Sequence, residues 1–132
     1  MNRICLFLVI ALSLLLPSQA KAADPVTVDV LFMDHGPLRP TLYKLKEVFE
    51  GYGTKLTVRW HDFESREGEE FMAKMGITNH VPLVIWMNGK DSIAIDGTTY
   101  TFSGFPSGSG PAMFQGKWTI DQLSKALDMI TK

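Results

Sequence analysis

Strand-like and helix-like patterns of apolar residues alternate along most of the chain. Residues 26 to 33, VTVDVLFM, are almost continuously apolar and rich in β-branched side chains, interrupted mainly by Asp29. Such a run predicts a strand buried on both faces of a sheet. From residue 38 to 50, leucine and phenylalanine recur at helical spacing and predict an amphipathic helix that ends at Gly51.

The same alternation continues through the middle of the chain. Apolar side chains alternate over residues 55 to 61, which predicts a second strand. Residues 66 to 75 predict a shorter helix with Phe71 facing inward, and residues 81 to 87, VPLVIWM, predict a third strand. The following Asn88-Gly89 pair is typical of a tight turn between strands.

The C-terminal part predicts two more short strands and a last helix. The strands are expected at residues 92 to 95 and 100 to 102, followed by a long loop rich in glycine and proline over residues 103 to 117. Thr119 begins the helix, and Gln122 stands three residues later, as a capping box requires. The predicted order is therefore β-α-β-α-β-β-α, in a domain of the α/β class.

The N-terminus has the pattern of a secretory signal peptide. A short positive start precedes an apolar run over residues 4 to 16, and Ala20-Lys21-Ala22 is a small-x-small cleavage pattern. At 1.5 Å per residue this run is too short to span a hydrocarbon core of about 30 Å. We expect a signal peptide at 1–22 and one domain at 23–132, in the periplasm or secreted; an uncleaved anchor is the alternative.

The charge and the cysteine content of the chain bear on two classes of function, nucleic-acid binding and thiol chemistry. Cleavage would lower the number of lysines and arginines from 13 to 11 against 14 acids, a net charge of about −3. This balance gives no indication of nucleic-acid binding. The only cysteine, Cys5, would leave with the signal peptide, so the exported chain would contain no thiol.

One loop carries a resemblance to a known family. Residues 34 to 39, Asp-His-Gly-Pro-Leu-Arg, follow the first strand and open the first helix. In thioredoxin-like proteins a Trp-Cys-Gly-Pro-Cys loop occupies this place; Gly36 and Pro37 match it, whereas His35 and Leu38 replace its cysteines. Pro82, ahead of the third strand, matches the family's cis-proline. From about Val26 to Ile130, the chain resembles a thioredoxin-like protein.

The resemblance implies a fold and argues against the family's reaction. The implied fold is a central mixed β-sheet of four to five strands flanked by three or so helices, with Asp29 where the family carries a buried aspartate. Thiol–disulfide exchange requires a thiolate, which the exported chain would lack. We therefore expect a redox-inactive domain that is not an oxidoreductase, with no catalytic residue and no cofactor.

The altered loop is the first candidate binding site. Its residues are Asp34, His35, Gly36, Pro37 and Leu38. His35 stands where a helix begins, so it could accept a hydrogen bond, bind a metal or simply cap the helix. Leu38 is expected to pack inward.

The turn of His80, Val81 and Pro82 is the second candidate site. In thioredoxin-like proteins the residue before the cis-proline pairs with an extended peptide, as in strand addition. The resemblance implies the same role for Val81 and a cis bond at Pro82. The alternative is that Pro82 only shapes the start of the strand.

Histidines elsewhere give a weaker indication of a metal site. His80 could approach His35, with Asp34 or Met33 as a further ligand, but no two histidines have a metal-ligand spacing in the sequence. No metal is therefore assigned. His61 and Asp62 are expected to be solvated loop residues at the end of the second strand.

The glycine-rich segment is the third candidate contact region. Together with the residue that follows it, the segment carries four large apolar side chains, Phe105, Met113, Phe114 and Trp118. These could form a binding loop or tuck onto the sheet, and both interpretations stay open.

Together these features predict a non-enzymatic, exported domain that binds a protein or peptide through the altered loop and a groove beside the expected cis-proline, Pro82. It would bind neither nucleic acid nor, once cleaved, a membrane. The alternative is a metal- or small-ligand-binding periplasmic protein that uses His35 and His80. An enzyme with thiol-independent chemistry is a third possibility.

Overall fold

The computed structural model describes residues 20 to 132 of the chain. The expected signal peptide at 1–22 lies outside this part except for its last three residues. Residues 20 to 25, which precede the first strand, are exposed and have no regular secondary structure.

The described chain is a mixed α/β structure with three α-helices and two small sheets. Two short 3-10 turns, Gly53–Lys55 and Ala112–Phe114, lie between these elements. In chain order the strands and α-helices are β1 Val26–Phe32, α1 Arg39–Glu50, β2 Leu56–Asp62, α2 Arg66–Met75, β3 Leu83–Met87, β4 Ser92–Ile95, β5 Thr98–Thr101 and α3 Ile120–Ile130.

The larger sheet has the strand order β2-β1-β3. β1 and β2 are parallel, with Val26 opposite Leu56 at one end of the pair. β1 and β3 are antiparallel, with Val30 opposite Ile85. A parallel pair needs a crossover connection, which α1 provides.

β4 and β5 form a separate antiparallel hairpin, so the expected single sheet of four to five strands is wrong in this respect. The chain that follows β5 pairs only briefly with β3: Ile85 N–H donates to the Phe102 carbonyl (2.9 Å) and Gly104 N–H to the Leu83 carbonyl (2.7 Å). Gly104 then adopts a left-handed φ of +76°, which turns the chain out of the extended conformation and ends the pairing.

Helices cover both faces of the larger sheet. α1 and α3 pack on one face, where Val28 and Val30 of β1 meet Leu45 and Leu127 in the main core. α2 packs on the other face, where Leu31, Phe71, Val84 and Trp86 form a smaller cluster. Because β1 and β3 are buried on both sides, β3 is continuously apolar, and β1 is apolar apart from Thr27 and Asp29.

Local signals place the helix ends and turns as the sequence predicts. Thr119 and Gln122 form the reciprocal capping box at the start of α3, with both hydrogen bonds present. The Asn88-Gly89 turn has positive φ at both residues, as the tight turn after β3 requires. In residues 20 to 132, no helix combines the length and apolar character that crossing a membrane demands.

Candidate functional site

The loop after β1 is closed by backbone hydrogen bonds. Met33 N–H donates to the Pro82 carbonyl (3.0 Å), so the loop begins beside the turn that precedes β3. The Leu38 N–H donates to the His35 carbonyl (2.9 Å), and α1 starts at Arg39. The start of α1 has no capping side-chain hydrogen bond. The suggestion that the His35 side chain caps the helix is therefore wrong: its backbone carbonyl closes the turn instead.

The polar side chains of the loop face outward. The His35 side chain is 57% exposed, and its Nε2 lies 3.8 Å from Glu64 Oε1. Asp34 Oδ1 accepts a hydrogen bond from Arg39 Nε at 3.0 Å. A salt bridge as exposed as the one between Asp34 and Arg39 contributes little to stability. These side chains are consequently free to rearrange around a ligand at small cost.

Leu38 points the other way, as expected. Its side chain is 1% exposed and belongs to the main core. A hydrocarbon therefore fills the space beneath the loop, whereas the neighbouring His35 stays at the surface. The loop thus has the imidazole of His35 at the surface and the apolar side chain of Leu38 beneath it.

The structure brings the three candidate segments together around one groove. This groove has a volume of about 180 Å³. It is lined by parts of the loop, of the turn before β3 and of the glycine-rich segment: Met33, His35, Pro37, Leu38, His80, Pro82, Phe105, Pro111 and Phe114. Apart from the two imidazoles, every one of these side chains is apolar. We call it the proline groove.

Other predicted site residues lie outside the lining of the proline groove. These are Asp34, Gly36, Val81, Met113 and Trp118. Val81 is half-buried and packs against the small cluster under α2. His80 packs edge-on against Phe63, with ring centroids 5.3 Å apart.

The expected cis bond at Pro82 is wrong. Residues 20 to 132 contain no cis peptide bond, so the Val81–Pro82 bond is trans. The trans form is the lower-energy isomer of an X–Pro bond by about 0.5–1 kcal/mol. In this form the Pro82 carbonyl reaches Met33 and ties the turn to the loop.

The glycine-rich segment divides between core and surface. Phe105 and Trp118 are buried in the main core, and Trp118 Nε1 donates to the Ser103 carbonyl at 3.2 Å. Met113 and Phe114, by contrast, are 83% and 40% exposed. Phe105 and Trp118 therefore pack into the core, whereas Met113 and Phe114 are left at the surface, where a binding loop would need them.

A polar cluster that the sequence did not predict lies on the face of the sheet that α2 covers. Asp29 is buried in β1 and accepts two hydrogen bonds from Arg59, through Nε and one terminal nitrogen (2.8 Å each). His61 Nε2 lies 2.8 Å from the same carboxylate, and its ring stacks on Phe71 at 3.7 Å. His61 and Asp62 belong to β2, so their expected place in a solvated loop is wrong.

The cluster alters the pKa of its members. Burial opposes ionisation of Asp29, but the hydrogen bonds from Arg59 and His61 outweigh burial and hold the pKa of Asp29 below its usual range. The Asp29 carboxylate in turn raises the pKa of Arg59. The alternation of side chains could have revealed the cluster, because Arg59 and His61 share one face of β2 and Asp29 lies directly opposite Arg59.

Comparison with protein-family models and with curated proteins finds no match to this chain in either.

Proposed function

We propose that this protein is an exported, redox-inactive thioredoxin-like domain that binds a protein or peptide through the proline groove. The observation that carries the proposal is the convergence of three segments, distant in sequence, on one apolar groove. The sequence of each segment also predicts it as a candidate site.

The placement of the loop supports a thioredoxin-like scaffold. The altered Gly36-Pro37 loop joins β1 to α1, and Pro82 leads into β3 beside it. The element order β-α-β-α-β-β-α also agrees with this proposal. The trans bond at Pro82 and the separate β4–β5 hairpin are departures from the expected pattern.

The size and lining of the groove support a peptide side chain as the occupant. Pockets for drug-sized ligands commonly have volumes of about 300–1,000 Å³, so a groove of about 180 Å³ is small for such a molecule. Its walls offer hydrocarbon and aromatic rings, with His35 and His80 as the nitrogen-bearing side chains. An apolar side chain of an extended segment suits this chemistry.

The backbone beside the groove supports a peptide main chain. Within residues 20 to 132, neither the N–H nor the C=O of Val81 makes a hydrogen bond to another part of the chain. Its neighbours His80 and Pro82 both line the groove. Strand addition at an exposed backbone gives affinity through main-chain hydrogen bonds, while adjoining pockets give specificity.

The absence of thiols supports a binding role rather than redox catalysis. The sequence has no cysteine after Cys5, and Leu38 fills one of the two positions where the family carries a thiol. We propose no cofactor for this site. Export to the periplasm or the exterior is proposed on the signal-peptide pattern of residues 1 to 22.

Site-specific photo-cross-linking in the exported fraction tests the proposal. A photoreactive residue in place of Phe114, on the rim of the groove, should give a discrete adduct with one partner. The same residue in place of Met113, its neighbour outside the groove lining, should give much less. His35→Ala should reduce the adduct at position 114. Equal adducts at both positions, or none, would contradict the proposal.

Metal or small-ligand binding is the second candidate, because His35 and His80 line the same groove. Residues 20 to 132 contain no cluster of three or more His, Cys, Asp or Glu side chains placed to hold a metal ion. Titration with Cu²⁺ or Zn²⁺ tests this candidate. Stoichiometric binding that is lost in both His35→Ala and His80→Ala would favour it over peptide binding.

A further inference from the structure

The outer side of β2 is an open sheet edge. β2 is the terminal strand of the three-stranded sheet, and within residues 20 to 132 no strand pairs with its outer side. Its seven residues, LTVRWHD, include neither proline nor glycine. An edge of this kind presents unpaired backbone groups to which another strand can bind.

The hydrogen bonds at the end of β2 show which groups point outward. Phe63 N–H donates to the carbonyl of the last β1 residue (2.8 Å). Because backbone groups alternate in direction along a strand, those of Val58 and Trp60 face away from β1. The Leu56 N–H is bonded within the preceding 3-10 turn and the Asp62 carbonyl within the turn before α2. The outward groups left for another strand are therefore both groups of Val58 and Trp60, the Leu56 carbonyl and the Asp62 N–H.

Apolar surface accompanies these free groups. The side chains of Val58 and Trp60 are only half-buried, and they line an open recess with Phe49 of α1. Lys46 and Glu50 line the same recess, and Lys46 Nζ lies 5.6 Å from the Trp60 ring centroid. The edge thus combines unpaired backbone groups with an apolar surface, and this surface has a positive charge, Lys46, and a negative charge, Glu50, beside it.

We propose that β2 pairs with β2 of a second copy of this chain, antiparallel and centred on Val58. In this register Val58 faces Val58 of the second copy and exchanges two hydrogen bonds with it. Trp60 N–H donates to the Leu56 carbonyl of the second copy, and Arg59 faces Thr57. The resulting interface has two-fold symmetry, so every contact occurs twice.

Charge complementarity favours a second copy as the occupant. α1 runs antiparallel to β2, since it connects two parallel strands. Lys46 therefore lies beside Trp60, whereas Glu50 lies nearer the start of β2. The two-fold axis at Val58 brings Lys46 of one copy opposite Glu50 of the other. A register centred on Arg59 would instead set two guanidinium groups against each other, which is unfavourable.

Sedimentation equilibrium and light scattering on protein expressed from its full sequence test the proposal. We expect the mass to double as the concentration rises from micromolar to millimolar. Glu50→Lys should weaken the dimer roughly tenfold, because it turns two reciprocal attractions into repulsions. Combining Lys46→Glu with Glu50→Lys should restore the parent affinity. Lys125→Glu, an exposed change on α3, should leave the affinity unchanged.

Two results would overturn the proposal. The first is a protein that stays monomeric at millimolar concentration. The second is a dimer whose affinity is the same in the parent, in Glu50→Lys and in the charge-swapped variant. Val58→Pro provides an independent check, because it removes an outward N–H and leaves the bonds to β1 in place. A correctly folded Val58→Pro protein, judged by circular dichroism, should be monomeric.

Discussion

Placing cysteines at positions 35 and 38 would test whether the loop after β1 has the geometry of the redox loop that it resembles. The perturbation is the double substitution His35→Cys, Leu38→Cys, which keeps Gly36 and Pro37 between the two thiols. The Leu38 N–H already donates to the His35 carbonyl at 2.9 Å. Such a turn holds its end Cα atoms less than about 7 Å apart, and a disulfide needs about 4.4–6.8 Å. We expect an intramolecular disulfide to form.

The structure sets the size of the accompanying stability changes. The His35 side chain is more than half exposed, so its replacement should cost little. Leu38 is buried, and replacing it by cysteine removes about two carbon groups, a loss of roughly 1.6 kcal/mol before any cavity cost. Closing a four-residue loop by a disulfide should return about 2 kcal/mol by the chain-entropy estimate. The oxidised variant should therefore be about as stable as the parent, and the reduced variant less stable.

The assay combines thiol counting with urea unfolding in the oxidised and reduced states. The double variant should lose both free thiols in a glutathione buffer and show a higher unfolding midpoint when oxidised. The matched control is His35→Ser, Leu38→Ser, whose midpoint should not respond to the redox buffer. Intermolecular disulfides only, or an oxidised form less stable than the reduced form, would refute the proposed geometry of the loop.

Three further predictions concern stability. Asp29→Asn should make the protein less stable than the parent above pH 4. This difference in stability should shrink as pH falls through the lowered pKa of Asp29, because the parent then loses the same charge. Thermal unfolding of both proteins at several pH values measures it. Tyr52→Phe should cost about 1 kcal/mol, because it removes a hydroxyl whose oxygen lies 2.9 Å from the Ser124 carbonyl and 2.8 Å from Asp128 Oδ1. Burial raises the pKa of Tyr52 to about 12, so the stability that the hydroxyl contributes is complete below pH 10 and lost as pH rises towards 12. Gly68→Ala should cost about 1–3 kcal/mol in urea unfolding, because its new Cβ would meet the Asp62 carbonyl oxygen, although alanine favours helices. An unchanged Tyr52→Phe profile up to pH 12, or a stabilised Gly68→Ala, would contradict these accounts.

Patterns that depend on a few neighbouring residues were predictable. The bounds of α2 and β4 agree with the prediction, and the capping box of α3 is present as expected. Periodicity, caps and turn residues act over one or two turns of chain, so a local sequence contains what decides them.

The identity of the buried loop residue was also predictable, because a leucine at the start of an amphipathic helix has one apolar side to join. By contrast, the roles of Phe105 and Phe114 could not be separated by sequence. One lies in the core and the other on the rim of the proline groove, although both are phenylalanines in the same glycine-rich segment. The backbone turns between them, not their residue type, set their exposure.

The sequence alone determined the succession of strands and helices, the inward packing of Leu38 and the absence of a cysteine after Cys5. Only the tertiary structure decided that β4 and β5 leave the main sheet, that the bond before Pro82 is trans, and that Asp29 meets Arg59 and His61. The physical reason is range. Helix and strand patterns are fixed by neighbours in the chain, whereas sheet pairing and buried polar contacts depend on which distant backbones meet.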